Sequence, residues 1–518
     1  MSWSKVLRNL SASAPVLEAL RRVMTGDEVS ILIGSADEST PLRGIERYLF
    51  LILGPLLCLA TLLWPAPAEL AGVAWRLVGL ILWMVVWWLS EAVPIPATAL
   101  LPVVMMPLLG IAPQGEVTAA YGHPLIFLFL GGFLIAGALS RWGLHRRIAL
   151  SIVRLVGTHP ARLVGGVMLA TAFLSMWISN TATAVMMYAV GVSLAEAIKP
   201  CLPNPKTRRR FGVALMLGIA YSASIGGLAT LIGTPPNVLM AGFLEQTYGI
   251  TVDFSRWLLI GLPFAVVLLP LTWVWLTRIA FPLGDAKLTG VDTLLRDELV
   301  ALGPMRAPER AVLVVFALTA LGWIFRPQLV ALTGLEISDT SVAIGAALLL
   351  FALPVSLEQG TFVLDWRAAK NVAWDVLILF GGGLALASAF ETTGLAETIG
   401  EGVASFGGLN LWVLTLLLAT LVMFLGELTS NTASAATFLP IGGAVAVGLG
   451  VDPLFVAVPI ALAASANFML PVATPPNAVV FGYEDVRVQD MVRAGLVIDL
   501  AALGVIMLLL ATVIRLVF

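Results

Sequence analysis

Ser179-Asn180-Thr181-Ala182-Thr183 interrupts an apolar run in the first half of this chain, and Ser430-Asn431-Thr432-Ala433-Ser434 interrupts another in the second half. The block from Gly131-Gly132-Phe133-Leu134 to Gly143-Leu144 returns, at the same offset as the triplets, from Gly382-Gly383-Leu384-Ala385 to Gly394-Leu395. Thr234-Pro235-Pro236-Asn237 returns as Thr474-Pro475-Pro476-Asn477, each following its Ser-Asn-Thr. In a membrane protein, polar triplets and Pro-Pro breaks at matching places in two halves point to broken helices that meet around a small solute.

Composition supports a membrane reading. Of 518 residues, 59% are hydrophobic and 12% charged, and mean hydropathy is +0.98. A soluble domain carries about 25% charged residues. Apolar stretches near the ~20 residues needed to cross a bilayer recur throughout, which makes the chain polytopic. The net charge of −2 selects no partner, and none of nucleic acid is expected. Cys58 lies in an apolar span and Cys201 in a basic loop, so a disulfide framework is not expected. The first 44 residues hold Lys5, Arg8, Arg21 and Arg22 and are too polar for a cleavable signal peptide.

Spans read near 47–65, 72–92, 96–112 and 124–141, and an amphipathic basic segment, Trp142–Thr158, follows. That segment fits either an arm lying along the inner interface or a plain cytoplasmic loop helix. The domains follow from the repeat: a cytoplasmic N-terminal segment 1–44, a first half 45–282, a charged cytoplasmic linker 283–308 and a second half 309–518. The first half holds a hinged pair at 162–198 and a broken helix at 211–247. The second holds a hinged pair at 409–449 and a broken helix at 452–482.

Each member of a hinged pair is short for a full crossing, and its triplet falls at mid-bilayer depth. A non-helical turn there is tolerable where protein or a water-filled cavity covers it. The pairs therefore read as re-entrant hairpins. Loop charge orients them. Arg141, Arg146, Arg147, Arg154, Arg162, Lys199, Lys206 and Arg208 to Arg210 flank the first, placing its flanks in the cytoplasm. Glu391, Glu397, Glu401 and Asp452 flank the second, with no Lys or Arg nearby, placing its flanks outside. The expected fold is an all-α inverted repeat of about eleven transmembrane helices plus two hairpins, with the N-terminus inside and the C-terminus outside.

The tips carry the chemistry. Ser-Asn-Thr offers hydroxyls and a carboxamide, all neutral. The N-terminus of the second hairpin helix adds free N–H groups and a positive dipole end, which suit a carboxylate. Carbonyls ending the preceding helix, together with hydroxyls, suit an alkali cation. Proline removes a donor and blocks the helical bond behind it, so each Pro-Pro frees carbonyls as well. Glu427, three residues before the second triplet, either tunes a cation site or holds the tip by hydrogen bonds.

With Trp87-Trp88-Leu89-Ser90-Glu91-Ala92-Val93-Pro94 and Trp374-Asp375-Val376-Leu377, the paired motifs resemble the divalent anion:sodium symporter family, dicarboxylate branch, over roughly 45–518. The resemblance implies a homodimer in lipid, each protomer with a scaffold domain and a transport domain that moves as an elevator. It implies that Ser179, Asn180, Thr181, Ser430, Asn431, Thr432, Thr474 and Pro475 meet the substrate. It implies a first sodium ion at Ser175, Ser179, Asn180 and Gly233, and a second at Gly426, Thr429, Asn431 and Ala473. Gly426 departs from the pattern, because relatives often carry a hydroxyl there.

A dicarboxylate carries about −2 near neutral pH, and no Lys or Arg occurs at either tip or break. Uncompensated transfer into a low-dielectric site is costly, so two or more sodium ions are expected to accompany the substrate. The function read from the sequence is sodium-coupled import of C4-dicarboxylates (succinate, malate or fumarate type) across a bacterial inner membrane. A dicarboxylate exchanger and a sodium-coupled citrate or sulfate carrier are the alternatives. No hydrolase motif accompanies His123, His145 or His159, so the chain does not read as an enzyme.

Overall fold

The computed structural model describes residues 45–514, apart from 69, 158, 203, 285–290, 371 and 406–409. The segment 1–44 and linker residues Asp285 and Lys287 lie outside the described residues. The chain opens with α1 (Ile45–Leu63) packed on α2 (Gly72–Ser90). Three short helices follow, α3 (Ile95–Thr98), α4 (Leu101–Leu108) and α5 (Gln114–Ala120), then α6 (Pro124–Arg141) and α7 (Leu144–Val156). Next come α8 (Pro160–Ser175), α9 (Asn180–Ile198), α10 (Pro205–Ala229), α11 (Pro235–Tyr248) and α12 (Phe254–Val274), which runs on as a π-helical turn, Trp275–Ala280. The helices α13 (Val291–Ala301), α14 (Ala307–Ile324), α15 (Arg326–Thr333) and α16 (Asp339–Ala352) lead to an antiparallel pair, β1 (Pro354–Ser356) and β2 (Thr361–Phe362). The rest is α17 (Trp366–Ala369), α18 (Trp374–Thr392), α19 (Leu395–Ser405), α20 (Leu411–Gly426), α21 (Asn431–Gly448), α22 (Leu454–Ser465), α23 (Pro475–Phe481) and α24 (Val488–Ala511).

Eight of the described helical stretches are long and apolar enough to cross a membrane, and six shorter apolar helices accompany them. The protein is an all-α polytopic membrane protein. Its helices differ in what surrounds them. The most apolar window of α10 is buried throughout, whereas 28% of the window in α14 and 33% of that in α2 is buried. Protein therefore encloses α10, while α2 and α14 turn most of their apolar surface outward. At 16 residues each, α8 and α20 reach about 24 Å, short of the ~30 Å hydrocarbon core.

The repeated Gly-Gly blocks are explained by close backbone approach. A Cβ on Gly131 would fall 2.6 Å from the Cβ and 2.7 Å from the carbonyl carbon of Ala343 in α16. Its counterpart Gly382 in α18 meets the backbone of Ala99, at 2.9 Å from its Cα. Glycine is what lets α6 and α18 seat against those chains. Gly143 and Gly394 close the same blocks with φ of +68° and +76°, a left-handed turn that launches α7 and α19.

The structure differs from the sequence reading in two places. The stretch near 96–112, expected as one span, breaks between α3 and α4. Pro102 has no N–H to return to Thr98, and the neighbouring Ala99 carbonyl instead accepts the Tyr121 hydroxyl. The linker 283–308, expected as a charged connection, forms α13 within it and grips the basic arm α7. Arg146 pairs with Glu298 at 2.6 Å. Arg147 reaches Glu309 at 3.3 Å and donates to the Gly303 carbonyl at 3.0 Å.

Gly382→Ala is expected to force the Ala99 backbone aside, at a cost of about 1–3 kcal/mol typical of overpacking. A lower melting temperature in detergent checks this, with Gly345→Ala, where a Cβ meets open space, unchanged as the control.

Candidate functional site

Each Ser-Asn-Thr stands at the start of a helix, after a short turn from the helix before it. In the first pair Ser179 is the N-cap of α9 and its hydroxyl accepts from the Ala182 amide at 3.3 Å. Asn180 and Thr181 follow, half-buried, in the first turn. In the second pair Ser430 occupies the same cap of α21, without a side-chain cap bond. Asn431 is half-buried and Thr432 buried. The helix N-terminus and the neutral side chains are thus presented together.

The breaks are held by one device used twice. Thr234 caps α11 and Thr474 caps α23, in both cases followed by Pro-Pro at the first helical positions. Asn237 Nδ2 then reaches back to the carbonyls of Gly227 at 3.4 Å and Thr230 at 2.9 Å. Asn477 Nδ2 reaches the carbonyls of Asn467 at 3.4 Å and Leu470 at 2.9 Å. Both asparagines are wholly buried. In the second half carboxylates complete the work. Glu427 accepts from the amides of Met469 at 3.0 Å and Leu470 at 2.9 Å, and Asp499 of α24 accepts from Phe468 at 3.1 Å. Glu427 is therefore a backbone clamp for the second break.

Each tip is tied to its own break, and the two breaks meet. Thr230 Oγ1 donates to the Met176 carbonyl at the first tip at 2.5 Å. Asn467 Nδ2 donates to the Met423 carbonyl below the second at 2.5 Å. Thr234 Oγ1 and Ser465 Oγ lie 3.4 Å apart, joining the first break to the end of α22. Beyond the breaks the half-helices trade partners: α11 packs on α21 and α22, while α23 packs on α9 and α10.

The residues named for a first cation gather around Gly227. Ser175 Oγ donates to Asn180 Oδ1 at 2.6 Å. The Asn180 carboxamide occupies the space a side chain on Gly227 would take, and Gly233 lies against the Gly227 carbonyl. Ser179 is the most exposed member. In the second set Thr429 Oγ1 bonds the Leu425 carbonyl at 3.0 Å and Ser434 Oγ at 2.9 Å. Asn431 Oδ1 is buried without a hydrogen-bond partner among the described residues. The Ala473 amide bonds the Leu470 carbonyl at 3.2 Å, and Gly426 is covered by Asn467. Of the substrate residues, Thr474 Oγ1 accepts from the Asn477 amide at 3.3 Å, and Pro475 is half-buried at the start of α23.

Sequence reasoning gave no role to Thr230, Ser465 or Asn467, and treated Asn237 and Asn477 only as parts of a motif. The repetition of Asn after Pro-Pro was the available signal for the last two. The first tip also rests on aromatic rings. Trp177 stacks near Phe254 and Trp323, with centroids 6.0 and 6.5 Å away, and meets Phe316 edge-on at 5.1 Å. Arg326 fixes that stack by pairing with Asp253 at 2.5 Å and Asp339 at 3.0 Å. Asp339 in turn accepts from the Phe254 amide and, through its carbonyl, from Trp323 Nε1.

Residues 46–518 match the family described as the sodium:sulfate symporter transmembrane region. The chain is 42% identical over 465 residues to the sodium-dependent dicarboxylate transporter SdcS of Staphylococcus saprophyticus, covering 88% of this chain and 89% of that one. It is 40% identical over 464 residues, with the same coverage, to SdcS of Staphylococcus aureus strain USA300. Two solved transporters share the fold. The Alcanivorax borkumensis YdaH transporter aligns with a TM-score of 0.53 at 15% identity, over 86% of this chain and 98% of its own. Neisseria gonorrhoeae MtrF aligns with a TM-score of 0.56 at 14% identity, over 90% and 95%. The protein is a multi-pass membrane transporter. It belongs to the divalent anion:sodium symporter family, whose sodium:sulfate symporter region spans nearly all of it.

Glu427→Ala is expected to strand the Met469 and Leu470 amides, each costing about 1–3 kcal/mol, and so to lower the melting temperature and transport together. Glu427→Gln, which keeps one acceptor oxygen, is expected to fall between the two.

Proposed function

We propose that the protein is a sodium-coupled secondary transporter that imports C4-dicarboxylates of the succinate, malate and fumarate type. The observation that carries this reading is the pairing of two uncharged Ser-Asn-Thr tips with two helix breaks, the segment leading to each tip bonded to its own break at Met176 and Met423, and the first break joined to the end of α22 at Thr234 and Ser465. The 40–42% identity to sodium-dependent dicarboxylate transporters supports the choice of solute and ion. The substrate carboxylates are assigned to Ser179, Asn180 and Thr181 on one side and Ser430, Asn431 and Thr432 on the other, with Thr474 and Pro475 beside them.

Charge balance fixes the rest. No Lys or Arg stands at the tips or breaks, so a dianion needs counter-charge from helix N-termini and bound cations. Two or more sodium ions fill that role, the first with Ser175, Ser179, Asn180 and Gly233, the second with Gly426, Thr429, Asn431 and Ala473. Net movement of positive charge would draw on the membrane potential at about 2.3 kcal/mol per charge per 100 mV. The basic flanks of α8 and α9 support a first hairpin that enters from the cytoplasmic side of a bacterial inner membrane, and the acidic flanks of α20 and α21 support a second that enters from outside. A homodimer with a fixed scaffold and an elevator-like transport domain is the assembly in which such a site would alternate between faces.

In proteoliposomes, uptake of labelled succinate is expected to collapse when choline replaces sodium. Uptake indifferent to that exchange sinks the coupling. Competition by malate and fumarate, but weakly by citrate or sulfate, checks the solute class. Asn180→Ala and Asn431→Ala are each expected to lower uptake about ten- to hundredfold, since a hydrogen bond to a charged group contributes about 1.5–3 kcal/mol. Wild-type uptake by either well-folded variant would show that the site lies elsewhere.

A further inference from the structure

The two halves repeat their contacts, and one departure from the repeat is matched by a second. In the first half Ser175 supplies a buried hydroxyl to Asn180, and the facing residue on the broken helix is Gly227. In the second half the counterpart of Ser175 is Gly426, which supplies no side chain. The counterpart of Gly227 follows from the clips: Asn237 bonds the carbonyl of Gly227, and Asn477 bonds that of Asn467, in the same register. The polar group and the glycine have changed places between hairpin and broken helix.

The geometry fits that exchange. A Cβ on Gly426 would fall 2.6 Å from Asn467 Nδ2 and 3.0 Å from its Cγ and Oδ1. Asn467 thus fills the room that a side chain at 426 would need. Its orientation is set, because Nδ2 donates to the Met423 carbonyl at 2.5 Å. Oδ1 is then left as an acceptor. The side chain is 0% exposed and Oδ1 has no hydrogen-bond partner among the described residues. Asn431 Oδ1, the counterpart of the oxygen that Ser175 satisfies, is buried and unpartnered as well. A buried acceptor left unpaired costs about 1–3 kcal/mol. Neutral carboxamide oxygens without donors are the kind of ligand that suits a hard cation.

We propose that Asn467 is a ligand of the second alkali-ion site, its carboxamide Oδ1 taking the part that a hydroxyl at position 426 would play. This rests on the sodium-coupled reading above. The carboxamide comes from the broken helix, not the hairpin, so the ion would bridge the two elements. The substitutions are also coupled: Gly426→Ser alone would collide with Asn467, whereas Gly426→Ser with Asn467→Gly would rebuild the arrangement of the first half.

The test uses the purified full-length protein in nanodiscs, with melting temperature measured against sodium chloride at constant ionic strength set by choline chloride. Wild type is expected to be stabilised by sodium with a steep concentration dependence. Asn467→Ala and the milder Asn467→Ser are expected to shift the sodium midpoint upward about tenfold and to flatten the curve toward a single ion. The double variant Gly426→Ser/Asn467→Gly is expected to recover much of the wild-type midpoint, and Gly426→Ser alone to lower the melting temperature without sodium. Unchanged midpoint and steepness in both Asn467 variants would overturn the assignment while leaving sodium coupling in place. A wild type indifferent to sodium over choline would overturn the coupling and the assignment together.

Discussion

An open backbone group at membrane depth has no water to satisfy it, and the breaks in α10–α11 and α22–α23 each open several. The structure answers with side chains that serve the backbone first. Asn237 and Asn477 bridge carbonyls on the far side of each Pro-Pro. Glu427 and Asp499 take three successive amides of the second break. Without those bonds, several unsatisfied polar groups would each cost kcal/mol in an apolar surrounding, and the chain would close into a continuous helix or admit water. The site is what remains once this demand is met.

That order of demand explains why the site is neutral. The carboxylate at 427, three residues before the second triplet, is turned to Met469 and Leu470, with both oxygens engaged. In the proposed site the hydroxyls and carboxamides of the tips and the helix N-termini are the groups assigned to the solute, while Thr234 and Thr474 spend their hydroxyls on Ser465 and the Asn477 amide. Such groups offer partial charges of both signs within one small volume, so an anion and its counter-ions can be held side by side without a fixed cation. A fixed Lys or Arg would bind the anion in either orientation of the protein whether or not sodium had arrived. In the transport proposed here, a neutral site would make the bound cation a condition for the anion.

Much of this was legible in the sequence because the repeat is written in residues with few substitutes. Pro-Pro can only end or begin a helix, Ser and Asn before an apolar run announce an N-cap, and both features occur twice. The helices from Asn180 and Asn431 start where the triplets indicate. Spatial partners were not legible. Nothing along the chain says that Ala343 lies on Gly131 or Ala99 on Gly382, although the Gly-Gly blocks announce a close neighbour of some kind. The break between α3 and α4 was hidden because its cause is a tertiary bond from Tyr121 as much as Pro102. Asn467 was hidden for a subtler reason. It ends a run of five small or polar residues, Ala463 to Asn467, and its meaning appears only when it is laid over Gly227.

The internal likeness of the halves ends at the outer faces of the tips. Trp177 braces the first tip on a stack formed by Phe254, Phe316 and Trp323. The residue at the matching place beside the second triplet is Leu428, which is 68% exposed. In this conformation the first tip is therefore fastened to α12 and α14, and the second has no equivalent aromatic seat among the described residues. In the elevator proposed here, any motion that draws the first hairpin away from those helices has to part up to three aromatic contacts. Each contributes about 0.5–1.5 kcal/mol beyond its buried area. The total is a few kcal/mol, the size of gap that keeps a minor state accessible and lets a ligand with unequal affinity for the two states move the balance. The Arg326 ion pairs with Asp253 and Asp339 anchor Phe254 and Trp323 so that the stack opens at Trp177 and not within the helices that carry it.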